Sequence, residues 1–241
     1  MGLSIPASGR HDFRGFDFSI VRLGRRDLEA ANHRLVRNLS SSFLARENRS
    51  MPLDLPKPVA HRIEVPFSFR AVRYRAVLDA KLDPPLWVEG PNGHRYPSSM
   101  SREWGPWKLQ VGDVDGDGYP DLLVGVVKAT HQLHARHTTL FVYTFNGREI
   151  RRKWLGSTMG RPLLDYTLGK AGTDGWQPLF TLERTLDGNA SLSRYRWRVF
   201  GFHRNSSQLT WKNAIHLRSI HGMITLDANG RRFALNPGTW K

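Results

Sequence analysis

The 241 residues include no cysteine. That excludes disulfides, zinc–thiolate sites and thiol nucleophiles. No apolar run approaches the length of a transmembrane helix. The N-terminus lacks the charged-then-apolar pattern of a signal peptide, and Asp12, Asp17, Asp27 and Glu29 argue against a transit peptide. The common catalytic motifs are missing too: there is no Gly-x-Ser-x-Gly, no Walker loop and no His-Glu-x-x-His. Glu183 and Asp187 lie near each other without a motif around them, so the chain reads as a non-enzyme. Acidic residues are scarce. Asp and Glu number 21 against 36 Lys and Arg, which leaves a net charge of +15 at pH 7 and a pI of about 10.8. Arginine supplies most of the excess. A balance of this kind suits acidic partners such as nucleic acid, anionic headgroups or acidic polymers. The basic residues are spread along the chain, which equally suits a solvated Arg-rich surface.

Against this basic background stands one acidic stretch, GDVDGDGYPDLLVG, from Gly112 to Gly125. Asp113, Asp115, Asp117 and Asp121 repel one another unless a cation lies between them. Oxygen-only donors at this density suit a hard ion, with Ca2+ the best fit. Gly116 and Gly118 can take positive φ and let alternate side chains converge. An EF-hand is the obvious rival, but it needs a bidentate Glu at its twelfth position, which is Val124 here. The flanks are also strand-like: Trp107–Val111 alternates, and Leu122–Val127 is a short apolar run. A Ca2+ loop between two strands resembles the FG-GAP/VCBS repeat, the integrin-α-type β-propeller blade with its DxDxDGxxD loop. The resemblance implies carboxylate ligands from Asp113, Asp115, Asp117 and Asp121 and a backbone carbonyl from Tyr119. The rival reading is a solvated acidic turn.

Along the chain, residues 1 to about 25 form a loose arm. The segment from about Asp27 to Glu47 has Leu28, Ala31, Leu35, Leu39, Phe43 and Leu44 at helical spacing, with Asp27 as cap. Met51 to Pro58 is a Pro-rich linker. From His61 the pattern is β, first at Ile63, Val65, Phe67 and Phe69, then over Arg70–Val77. Two markers then recur at about 55 residues. One is the loop glycine: Gly118, Gly175, and Gly230 with Asp227 and Asn229. The other is an aromatic strand ending in a glycine turn at Gly93, Gly147 and Gly201. A Trp follows each of these turns: Trp104, Trp154 and Trp211. The period predicts four-stranded blades, with Phe141, Tyr143, Phe145, Tyr195, Trp197 and Val199 packed between them. The expected fold is all-β: a β-propeller-like repeat of three to four blades over 59–241, behind an N-terminal arm, amphipathic helix and linker over 1–58.

The resemblance implies a non-enzymatic surface or extracellular binding module in which Ca2+ is structural. Its ligand would be a protein, a polysaccharide or another polyanion. Self-association could complete a ring, since integrin-type propellers close with about seven blades. The alternative is an intracellular basic module that binds nucleic acid or another polyanion. Arg194, Arg196 and Arg198 alternate on one strand and form the candidate polyanion stripe, near Arg148, Arg151, Arg152 and Lys153. His131, His134 and His137 read as exposed loop histidines, and the loops at Asp174 and Asp227 as plain turns.

Overall fold

The computed structural model describes residues 55–129, 135–155, 161–205 and 209–236. The helix expected over about 27–47, His131 and His134 lie outside the described residues. What is described is all-β, in four antiparallel sheets. The first holds β1 (Ile63–Phe69), β2 (Val72–Leu78), β3 (Leu86–Glu89) and β4 (Arg95–Pro97). The second holds β5 (Lys108–Gly112), β6 (Asp121–Lys128), β7 (His137–Phe145) and β8 (Ile150–Leu155). The third holds β9 (Leu163–Leu168), β10 (Leu179–Arg184), β11 (Ala190–Arg198) and β12 (Gly201–Arg204), with β13 (Leu209–Trp211) pairing the start of β11. The fourth holds β14 (Ala214–Ile220), β15 (Met223–Ala228) and β16 (Arg231–Leu235). Strands run up and down in chain order within each sheet. The diverged blade expected from the strands before Trp104 is the first sheet.

The sheets stand in a propeller arrangement. The first strand of each lies innermost: β1 touches β5, β5 touches β9, and β9 touches β14. A groove of about 560 Å³ is lined by Val65, Gln110, Thr167, Lys170 and Ser219 among others, so all four sheets border it. Three apolar cores fill the spaces between successive sheets. Between the first and second, Leu78, Leu86 and Val88 meet Leu122, Val124, Phe141 and Phe145. Between the second and third, Leu123, Leu140 and Val142 meet Leu163, Tyr166, Tyr195 and Trp197. Between the third and fourth, Phe180, Leu182 and Leu192 meet Leu217, Ile224 and Leu226. A blade buried on both sides must be apolar on both faces, and β6 is: seven of its eight residues, Asp121 to Val127, are buried.

Aromatics do join the blades as their alternation predicts. Phe145 meets Phe67, Tyr74 and Tyr96 of the first sheet, with ring centroids 6.1, 5.0 and 5.2 Å apart. Val199 is an exception. It is 80% exposed with φ of 45° in the turn after β11, so the alternation ends one residue earlier than expected. His137 is also placed differently: it opens β7 and is fully buried. The glycine-turn marker is sound, since Gly93, Gly147 and the turn before Gly201 each join a third to a fourth strand. The loop-glycine marker holds for two copies only. Gly118 and Gly175 join first to second strands, but Gly230 joins β15 to β16. In the fourth sheet the corresponding turn is the tight His221-Gly222 hairpin, which has no space for a carboxylate loop.

Candidate metal site

The acidic loop spans the gap between Gly112, which ends β5, and Asp121, which begins β6. The strand register pairs these two residues and pins both ends of the loop. Within it, Asp113 folds the chain on itself. Its Oδ1 accepts the Gly116 N–H at 2.7 Å and its Oδ2 accepts the Gly118 N–H at 2.8 Å. Asp117 Oδ1 accepts the Tyr119 N–H at 2.8 Å. Gly116 and Gly118 have φ of 73° and 79°, the left-handed conformation expected of them.

Asp113, Asp115 and Asp117 each offer one oxygen within 4.8 Å of the others. Asp115 Oδ1 is buried with no hydrogen-bond partner. Three converging carboxylates with an unsatisfied buried oxygen fit a hard divalent cation. Asp121 belongs to a second group. It is fully buried, and its Oδ2 accepts the Val114 N–H at 3.1 Å. The Lys153 ammonium lies 2.9 and 3.0 Å from its two oxygens and 2.8 Å from Asp115 Oδ2. Burial pushes the Asp121 carboxyl up to about 7, against the pull of Lys153 and the Val114 N–H, which favour its ionised form. Burial alone would lower the Lys153 ammonium; the Asp121 and Asp115 carboxylates outweigh it and hold Lys153 above its ordinary value. Tyr119, expected to give a carbonyl, packs its ring 5.4 Å from Phe69 and takes a hydrogen bond from Arg70 on its hydroxyl.

The loop also leans on the third sheet. Asp113 N donates to Gln177 Oε1 at 2.7 Å, and Gln177 N donates to the Asp113 carbonyl at 2.9 Å. A Cβ on Gly116 would lie 2.0 Å from the Trp176 ring. Trp176 is covered in turn by the Arg196 guanidinium, 4.2 Å from its centroid, which bonds Asp174 Oδ2 at 2.6 Å. The stripe of alternating arginines therefore divides. Arg196 is tied down, Arg194 is half-buried with its Nε unpartnered, and Arg198 is exposed. Of the basic residues expected beside it, Arg151 pairs with Glu149 and Arg152 bonds Ser99.

Glu183 and Asp187 do not come together. Glu183 is buried and accepts from Thr181 and Tyr195, and burial raises its carboxyl above the usual range. Asp187 is exposed and orders a turn through Thr185 and Asn189. His137 Nδ1 bonds the Ala135 carbonyl at 2.9 Å, and burial lowers its imidazole. The functional residue that sequence reasoning missed is Lys153. It is the extra residue of a β-bulge: Tyr143 pairs with Arg152 and Val142 with Trp154, leaving Lys153 between them. A bulge re-aims its side chain, and no local pattern announces where it falls.

Four antiparallel blades around one groove, one of them carrying a carboxylate loop between its first two strands, define a β-propeller-type repeat protein. The FG-GAP repeat family model matches residues 105–127, covering β5, the loop and most of β6. That segment is an FG-GAP repeat, and it lies in the second blade. No curated protein matches it. Among the described residues no helix is long and apolar enough to cross a membrane.

Proposed function

We propose that this chain is a non-enzymatic interaction module, acting at the cell surface or outside the cell, whose second blade is stabilised by Ca2+. Asp113, Asp115 and Asp117 would hold the ion, with Tyr119 and Asp121 completing the set. The observation that carries the reading is the buried Asp115 oxygen without a partner, on one of three carboxylates that approach one another within 4.8 Å. The ion would supply charge neutralisation and nothing more, since the loop is braced against Trp176 and Gln177. A ligand that binds only the folded state raises its stability by mass action. Millimolar Ca2+ should therefore raise the melting temperature above its value in EDTA. In Asp113→Ala/Asp115→Ala the two temperatures should coincide. A wild-type protein that melts alike with EDTA and with Ca2+ would end the calcium reading.

A second reading draws on the net charge of +15: the module takes an anionic polymer as its ligand. Arg198, exposed beside the Arg196–Trp176 stack, is the place to look for it.

A further inference from the structure

Lys153 is a cation already present among the loop's carboxylates. Its ammonium is 2.8 Å from Asp115, 2.9 Å from Asp121 and 3.7 Å from Asp117. The Trp197 ring of the third blade lies 5.4 Å from the ammonium. Only 12% of the side chain is exposed. Two features make this placement specific. The β8 bulge turns Lys153 toward the loop, out of the alternation that would have paired it across β7. And Asp121, the residue that resemblance would give to the metal, has both oxygens engaged, by Lys153 and by Val114 N–H.

From this geometry we propose that Lys153 is a tethered competitor of the divalent ion. It holds Asp115 and Asp121 when no metal is present, and it must withdraw before Asp121 can join a metal. The inference rests on the calcium reading above and adds regulation to the same site. It has two consequences. The loop has a counterion of its own, so the blade folds without metal. The metal's affinity is set low, because each binding event releases an ammonium from close contact with two carboxylates. Competition of this kind is a coupling between two ligands for one set of oxygens, one of them covalently attached.

The test is Lys153→Met, which keeps an unbranched side chain at the bulge and removes the charge. Calorimetric titration with Ca2+ and melting in EDTA and in Ca2+ are read for both proteins. The expected result is that the variant binds Ca2+ at least about tenfold more tightly, the direction set by removing one positive charge from contact with the site. Its melting temperature should fall in EDTA and recover in Ca2+ by more than the wild type gains. A variant that folds only with Ca2+ is the strongest form of the same result. If Lys153→Met does not fold in either condition, Lys153→Gln, which still donates hydrogen bonds, carries the same comparison. Equal Ca2+ affinity in a responsive wild type and in the variant overturns the competition and leaves the calcium reading standing. No binding in either protein overturns both.

Discussion

Gly116 and Gly118 separate two effects usually confounded in a glycine. Both have positive φ, which an L side chain adopts at a cost of about 1–2 kcal/mol. At Gly118 that is the whole cost, because a Cβ there would meet nothing within 4 Å. At Gly116 the Cβ would lie 2.0 Å from the edge of the Trp176 ring, whose face is stacked by Arg196. Moving Trp176 would disturb its stack with Arg196, which is itself paired with Asp174. Gly118→Ala should cost about 1 kcal/mol, and Gly116→Ala about 3 kcal/mol once the forced repacking is added. Denaturant titrations of the two variants give the comparison directly; equal costs would mean that Trp176 does not brace the loop. The glycines and aspartates of this loop were legible in sequence because every determinant lies within fourteen residues. Lys153 was not legible, since it reaches Asp121 only across β7 and through a one-residue shift in strand pairing.

Strands were legible for a related reason: the alternation of Ile63, Val65, Phe67 and Phe69 is a local property. So was the fourth-strand turn, marked three times by glycine after an aromatic strand. The third loop copy was misplaced because the Asn229-Gly230 pair makes a good hairpin signal by itself and occurs one strand later in the sheet than the carboxylate loop. What sequence could not show is how neighbouring blades are tied together. Asp165 on β9 is the clearest such tie. Its Oδ1 takes the Lys108 ammonium of β5 at 2.5 Å, and its Oδ2 accepts the Leu217 N–H of β14 at 2.6 Å. That N–H is free for a side-chain acceptor because β14 shifts register between Ile215 and Arg218. One carboxylate thus joins the innermost strands of three blades beside the groove. Asp165→Ala leaves a charged amine and a buried N–H without their partner, and should cost about 2–3 kcal/mol. Asp165→Asn keeps an acceptor for one of them and should cost less. Hydrogen exchange should report the loss at Leu217 and along β14 first. Protection there that is unchanged in Asp165→Ala would show that apolar packing alone holds the fourth sheet.

At the scale of the whole molecule, charge is the property that packing does not explain. Among the described residues the three apolar cores contain no Lys or Arg, and the chain as a whole carries an excess of +15. A diffuse excess and a built site behave differently. A diffuse excess attracts any polyanion in proportion to the charge, whichever blade carries it; a site loses binding when its own residues change. The third blade offers the candidate, with Arg198 exposed and Arg196 stacked on Trp176 within the same strand. Retention on heparin should fall steeply as salt rises, because binding releases condensed counterions. Arg196→Gln/Arg198→Gln remove two charges from the third blade, and Arg73→Gln/Arg102→Gln remove the same charge from exposed positions on β2 and in the connection between the first and second sheets. If the third blade is the site, the first pair should elute at clearly lower salt than the second. Equal elution would assign the attraction to the net charge of the molecule, and no retention at low salt would remove the polyanion reading while leaving the carboxylate loop and its tethered lysine untouched.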